Sequence, residues 1–281
     1  MKVAKAEDVS LVPARTAGEN LLSPKGVISL TVAYLCAAWT AFLLVDVLNV
    51  ASTRDSLVAS GFTTPAIWAQ LFREGGPTEI LQWLYLGGAA IVSAFLAGEL
   101  RERGRNGERE LHAFWLLMSI ALIVMLIEDA GNPRHYLRNM ALRLTGSRVA
   151  QLTVESVIFA VIAGLPLYAV IRYWRWVVPF ARSKWYLFAA FVAYGVAGAA
   201  SATRYAWYER AGTWLNQFLG GRLLQDLEHP FFGTTGMEFF LMDWLWEESV
   251  ELIGATFFLA AALGFLGEVR NSRLTADRVQ E

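Results

Sequence analysis

The chain has 281 residues, of which 56% are hydrophobic and only 17% charged, and its mean hydropathy is +0.40. A soluble domain of this size usually carries about a quarter charged residues, so the composition excludes an ordinary soluble protein and indicates a multi-pass membrane protein. The formal net charge of -1 and the lack of a basic block exclude nucleic acid as a predicted partner. The single cysteine, Cys36, excludes a disulfide framework.

Three regions follow from the distribution of apolar residues. Residues 1–26 are mixed polar and lack the apolar core of a signal peptide, so we expect a cytoplasmic tail there. A transmembrane domain is predicted over 27–268, with a large outer segment at 205–245. Residues 269–281 are predicted to form a second cytoplasmic tail.

Six segments are long and apolar enough to cross a bilayer, whose core of about 30 Å requires about 20 helical residues. Uniformly apolar runs of this length exclude the alternating strands of a barrel, so the predicted fold class is an all-α polytopic helix bundle. In chain order the segments cover roughly 28–50, 79–98, 111–130, 152–172, 185–204 and 246–267.

The distribution of Lys and Arg orients these spans. Most of the 24 basic residues lie in the two tails and in the connections after the second and fourth spans, which favours a topology with both termini in the cytoplasm. Several arginines between 134 and 148 oppose this trend, because they lie in a predicted outer connection.

The outer connections contain local signals. The stretch AIWAQLF at 66–72 is typical of a short interfacial helix, and the sequence GNP at 131–133 predicts the end of the third span. HYLRNMALRL then predicts an amphipathic helix from His135. Within 205–245, the sequence from His229 to Gly236 predicts a turn, and the many aromatic residues are typical of the lipid–water boundary.

Acidic residues are unusually close to the apolar part of several spans. The apolar run of the sixth span, Leu252 to Leu266, has 15 residues, which is about 22 Å of helix and too short for the core. The third span repeats this pattern from Ala113 to Ile127. The carboxylates beside these runs are therefore expected to lie at or below the membrane boundary.

With alternating topology, these acids fall at the outer ends of their helices together with one arginine. Charged groups at this depth usually face the bundle interior and have partners, so the pattern predicts an ion-binding or polar site near the outer leaflet. Asp46 and Glu79 also lie at outer helix ends. Contact with water is the simpler explanation for Glu79, whereas for Asp46 water contact and membership of the polar site are both open. The predicted site residues are Glu128, Asp129, Glu155, Glu247, Glu248, Glu251 and Arg204.

The negative charge of these acids could be balanced in two ways. Arg134, His135, Arg138 and Arg204 are local candidates for ion pairs, and the other solution is a bound cation. A divalent metal ion is one such cofactor, with His135, Glu128, Glu155 and Glu251 as candidate ligands. No metal-binding motif such as HExxH is present in the sequence, and His229 in the outer segment is more simply a surface residue.

The fifth span is rich in Ala, Gly and Ser, which favours close packing as a central helix. The alternative is that it lines a narrow cavity leading from Arg204.

Three acidic elements resemble a family of uncharacterised bacterial multi-pass membrane proteins. They are EGGPTEILQWLYLGGAAIV with Glu74, Gly75 and Glu79, MLIEDAGNPRH with Glu128 and Asp129, and WEESVEL with its three glutamates. The chain departs from that family by having Ala130-Gly131-Asn132 where a Trp-Gly-Gln continuation is usual. The resemblance implies a bacterial cytoplasmic (inner) membrane and a polar site, but no activity.

Three functions are consistent with these observations. The first is a transporter, channel or accessory subunit whose acidic site binds a cation or protons. The second is a structural or assembly protein, and the third is a metal-dependent membrane enzyme acting on a lipid-like substrate. Six spans are few for a secondary carrier, so a pore-forming protein of this length would be expected to form a homo-oligomer in the bilayer.

Overall fold

A computed structural model describes residues 23–61, 66–103, 108–180, 182–224 and 236–280. These residues are predominantly helical and contain no strand. Six helical segments among them are long and apolar enough to span a membrane. The predicted fold class, an all-α polytopic membrane helix bundle, is therefore confirmed.

The helices are numbered here in chain order. A π-helical turn, Leu43–Val47, continues the first helix, and another, Leu241–Glu247, joins the last two. The helices are α1 Pro24–Phe42, α2 Thr53–Ala59, α3 Ile67–Phe72, α4 Pro77–Arg103, α5 Glu108–Gly131, α6 Pro133–Thr145, α7 Arg148–Val177, α8 Ser183–Phe218, α9 Met237–Phe240 and α10 Glu248–Gln280. The candidate spans are Pro24–Val47, Ile67–Glu102, Glu108–Gly131, Arg148–Val177, Ser183–Arg204 and Met237–Asn271.

Local sequence explains several helix boundaries. The Ser23 hydroxyl accepts a hydrogen bond from the Gly26 amide at 3.0 Å and caps α1. The expected stop at GNP is confirmed, because α5 ends at Gly131, Asn132 adopts a left-handed conformation (φ 47°), and Pro133 opens α6. The amphipathic helix predicted after this stop is α6.

The last helix is the centre of the bundle. α10 packs against α1, α4 and α8, while α4 packs against α5. α7 lies at the periphery, on α5 and α6. Aromatic contacts reinforce this core: the rings of Trp115 on α5 and Phe265 on α10 have centroids 4.9 Å apart. The expectation that the small residues of the fifth span form the central helix was wrong, since α10 takes that place.

Two helices extend into the predicted outer segment at 205–245. α8 continues to Phe218, and the sixth span begins at Met237. The two elements meet through aromatic side chains, with the rings of Tyr208 and Phe239 at 5.5 Å, because aromatic residues that suit an interface also pack well against one another. Most of the predicted turn at 229–236, including His229, lies outside the described residues, as do residues 1–22 of the N-terminal tail.

Candidate functional site

A cavity of about 440 Å³ lies at the end of the bundle where α4 and α10 begin and α5 ends. One side of it is strongly charged. The acidic and basic residues that line it are Glu74, Glu79, Glu128, Asp129, Arg134, His135, Arg204, Asp243, Glu247, Glu248 and Glu251.

Six of the seven residues proposed from the sequence line this cavity, and the exception is Glu155. The Glu155 carboxylate instead accepts a hydrogen bond from the Arg138 guanidinium at 2.9 Å, as part of the contact between α6 and α7. That the residues brought together here act as a functional site stays a prediction.

Three of the acids in or beside the cavity form ion pairs with Arg134, Arg138 and Arg204. The Arg134 guanidinium lies 2.9 Å from Glu128, and its backbone N–H donates to the same carboxylate at 3.3 Å. Arg204 lies 3.2 Å from Asp243, and both side chains are buried. The third pair is Arg138 with Glu155. Each of these arginines therefore already has a matching carboxylate.

Five other acids form a group that we call the carboxylate cluster: Glu79, Asp129, Glu247, Glu248 and Glu251. The ion pairs found in the described part of the chain include none of the five. Their hydrogen-bond partners are neutral groups. Glu79 accepts from the backbone N–H of Gly75, and Glu247 accepts from the Tyr208 hydroxyl at 2.5 Å.

Gln82 connects two members of the carboxylate cluster. Its Nε2 amide donates to Asp129 at 2.6 Å and to Glu251 at 3.0 Å, so it joins α4 to both α5 and α10. The Gln82 side chain is almost fully buried. An amide can hold two carboxylates in place, but it brings no positive charge to balance them.

Glu248 is the least satisfied member of the carboxylate cluster. The residue is only 8% exposed, and it lines the cavity. Its Oε2 atom is buried without a hydrogen-bond partner in the described structure. Because a buried polar atom normally has a partner, this oxygen marks Glu248 as the residue of the cavity lining whose carboxylate most lacks a hydrogen-bond donor.

His135 and Tyr208 lie at the rim, outside the spanning segments. Burial, reinforced by the positive charges of Arg138, Arg134 and Arg204, lowers the pKa of His135 to about 4. His135 is therefore neutral at physiological pH, and its Nε2 atom accepts from Arg204 at 3.4 Å. Burial, together with the negative charge of Glu247, raises the pKa of the Tyr208 phenol, which stays a proton donor to that carboxylate.

The rest of the cavity wall is apolar and comes mainly from α7 and α8. The apolar and small residues of this wall include Phe159, Ile162, Pro166 and Leu167 of α7, and Phe191, Gly195, Gly198 and Ser201 of α8. Leu167 and the two glycines are exposed, so the cavity opens between these two helices on the side of the bundle. The fifth span thus lines a cavity that leads from Arg204, as the alternative reading of its small residues predicted.

Asp46 is not part of this site. Its carboxylate is fully buried and accepts from the backbone N–H groups of Ile67 at 3.0 Å and Trp68 at 2.8 Å. Arg54 lies 3.6 Å away. Asp46 therefore caps the first turn of α3, and α3 packs into the protein through Trp68. That this helix lies at the membrane interface stays a prediction.

The four candidate metal ligands are not assembled as one ligand set. Among the described residues, no group of three or more His, Cys, Asp and Glu side chains is arranged to hold a metal ion. The physical reason is that other partners occupy them: Glu128 and Glu155 are bound by arginines, and Glu251 by Gln82. The fourth candidate, His135, is hydrogen-bonded to Arg204.

Two residues of the site were missed in the sequence, although signals for them exist. Gln82 follows Glu79 by three residues, so the two share a helix face in an otherwise apolar span. Asp243 precedes Glu247 by four residues in the stretch before the sixth span. Both are polar residues at helical spacing from an acid that had already been noted.

Comparison of the chain with protein-family models, with curated proteins and with solved structures gives no match. The resemblance of the three acidic elements to a bacterial membrane family therefore remains at the level of those short motifs.

Proposed function

We propose that this integral membrane protein binds protons or a cation at the carboxylate cluster, in the manner of a transporter, a channel or an accessory subunit. The observation that carries the proposal is that five carboxylates from α4, α5 and the junction of α9 with α10 line one cavity, and that the hydrogen-bond donors found for four of them are neutral. Six apolar helical spans support the membrane setting.

The need to balance the negative charge of the carboxylate cluster is the physical reason for this proposal. Ionised carboxylates that share a buried site repel one another, and each also loses its hydration energy. The nearby arginines are already paired with Glu128, Asp243 and Glu155, so they offer little compensation. Protons or a bound cation are then needed to balance the carboxylate cluster, and either can be exchanged with the surroundings through the cavity.

The orientation of the protein, the membrane it occupies and its oligomeric state are also proposals. Positive charge near the predicted inner loops favours an orientation with both termini in the cytoplasm, which would place the carboxylate cluster in the outer half of the membrane. We take the membrane to be the cytoplasmic (inner) membrane of a bacterium, on the resemblance of the acidic motifs. A homo-oligomer would be required if the protein forms a pore between subunits.

Infrared spectroscopy tests proton binding directly. At neutral pH the purified protein should show the carbonyl band of a protonated carboxylic acid, and Glu251→Gln should weaken that band because one proton-binding group is lost. Glu102→Gln is the matched control, since Glu102 is an exposed acid at the opposite end of α4. An identical band in wild type and Glu251→Gln would contradict the proposal.

A flux measurement then separates transport from binding. Proteoliposomes that contain a pH-sensitive dye should dissipate a pH gradient faster than protein-free liposomes if the carboxylate cluster conducts protons. Glu251→Gln should abolish the excess rate, and Glu102→Gln should keep it.

A structural role is the second candidate, because Gln82 links three helices through the same acids. In that case, Glu251→Gln should lower the thermal unfolding temperature without changing the infrared band or the flux. The metal-dependent enzyme has no comparable support, since two of its candidate ligands are held by Arg134 and Arg138.

A further inference from the structure

The cavity is larger and more apolar than a site for protons alone requires. Its volume of about 440 Å³ lies within the range of pockets that bind small organic molecules. A proton or a bare inorganic cation is bound by oxygen atoms and makes no favourable contact with apolar side chains. The apolar lining includes Phe159, Ile162, Leu167 and Phe191. The two halves of the cavity therefore match a ligand that is itself half polar and half apolar.

The charges in the polar half of the cavity favour a ligand with a positive charge. The three arginines at this end already have carboxylate partners, whereas four acids of the carboxylate cluster accept hydrogen bonds from neutral donors and the fifth, Glu248, has an unpartnered oxygen. An anionic headgroup would have to displace an existing ion pair. A cationic one would supply the positive charge that the cluster lacks.

Glu248 adds a requirement for a hydrogen-bond donor. Its Oε2 atom is buried and unpartnered, and the residue lines the cavity. A protonated amine carries both the positive charge and the N–H groups that such an oxygen accepts, and charge-assisted hydrogen bonds of this kind are the stronger ones. A quaternary ammonium group would bring the charge alone.

The apolar half has a route to the membrane. α7 packs on α5 and α6, α8 packs on α10, and the cavity lies between α7 and α8. On the α8 side the wall includes Gly195 and Gly198. A Cβ atom added to either glycine would have no other atom within 4 Å, so the space beside them is open. A molecule dissolved in the bilayer could therefore enter sideways, with its apolar body still in a hydrocarbon-like environment.

We propose that the cavity binds an amphiphilic organic amine, with its protonated nitrogen at Glu248 and the carboxylate cluster and its apolar body between α7 and α8. This inference rests on the proposed function, because it names the cation that the cluster binds. Binding of the amine would release protons held by the cluster, which couples the two ligands.

Fluorescence of dansylcadaverine, an aromatic molecule with a single primary amine, tests the proposal on the full chain in phosphatidylcholine nanodiscs. The probe should bind saturably after subtraction of empty nanodiscs. Its N-acetylated form, which has the same body without the charge, should bind at least about tenfold more weakly, as should the acid 6-(dansylamino)hexanoate. Equal affinity for the amine and its acetylated form, or tighter binding of the acid, would overturn the proposal.

Two kinds of variant locate the site. Glu248→Gln should weaken probe binding at least about tenfold, because it removes the charge at the unpartnered oxygen. Gly198→Leu should weaken it similarly by filling the apolar half, where the structure has room for the new side chain. Glu102→Gln and Gly98→Leu are the matched controls, and both residues are exposed on α4 at the far end from the carboxylate cluster.

The results separate this inference from the proposed function. If the infrared band depends on Glu251 but the amine does not bind, only the organic ligand is wrong. If Glu248→Gln proves unstable by thermal unfolding, Gly198→Leu alone decides the location of the site, since full binding by that variant would place the probe elsewhere.

Discussion

Gln82 and Glu248 define the chemistry of the site at the scale of single residues. Gln82 holds Asp129 and Glu251 with one amide nitrogen, at 2.6 and 3.0 Å, and leaves their charge uncompensated. A lysine at this position would instead place one fixed positive charge beside the carboxylate cluster. The neutral amide holds the two acids in position without adding charge, which is compatible with the proposed binding of an exchangeable cation.

His135 should make the native protein less stable as the pH falls. Its native pKa of about 4 lies below the unfolded value of about 6.5, so the unfolded state binds the proton first. The stability contributed by neutral His135 is complete above about pH 6.5 and is lost progressively toward about pH 4. Thermal unfolding at several pH values, followed by tryptophan fluorescence, measures this loss.

His135→Gln provides the comparison, because glutamine can still accept a hydrogen bond from Arg204 and does not titrate. The unfolding temperature of this variant should fall less steeply between about pH 6.5 and about pH 4 than that of the wild type. Parallel curves for the two proteins would show that His135 is not the group responsible.

Among the contacts between helices, the approach of α8 to α9 at Gly212 leaves no room for a side chain. A Cβ atom at this position of α8 would overlap the carbonyl oxygen of Glu238 in α9. Gly212→Ala should therefore force the two helices apart, at a cost of about 3 kcal/mol in the free energy of unfolding. Chemical or thermal denaturation in detergent measures this cost.

Gly98→Ala is the control for the same substitution in open space, since a Cβ atom at Gly98 meets nothing within 4 Å. It should leave stability unchanged or raise it by up to about 1 kcal/mol, because alanine is the better helix former. If Gly212→Ala were as stable as Gly98→Ala, the close approach of α8 and α9 described here would be wrong.

The π-helical turns at Leu43–Val47 and Leu241–Glu247 could not be predicted from the hydropathy of the sequence. Each contains a buried aspartate, Asp46 in Leu43–Val47 and Asp243 in Leu241–Glu247. A π-helical turn inserts an extra residue and so rotates the helix that follows it. In the second case, the rotation lies directly before Glu248 and Glu251, and it influences which of these acids face the cavity.

The orientation of the whole molecule is testable by cysteine labelling. In a background with Cys36→Ser, a cysteine placed at the exposed Thr145 of α6 should react with a membrane-impermeant maleimide on intact cells of a bacterial expression host. A cysteine at Glu102 should react only after the membrane is permeabilised, because positive charge predicts that side to be cytoplasmic. The reverse pattern would show that the carboxylate cluster faces the inner leaflet.

The number of apolar spans, the stop at GNP and the proximity of acids to the apolar core could all be predicted from the amino-acid sequence. These properties depend on the composition of about 20 consecutive residues or on local turn chemistry, so they can be read without knowing any tertiary contact. The short apolar run behind Glu251 was informative for the same reason, since helix length follows directly from residue count.

The pairing of the charges and the position of the cavity depend instead on how the helices pack in three dimensions. Glu155 and Glu251 look alike in sequence, one turn inside their helices, yet the first meets Arg138 and the second meets Gln82. The difference arises from the rotation of each helix and the choice of its neighbours. The cavity likewise exists because α7 and α8 pack on different partners, which is a property of long-range packing that no single segment carries.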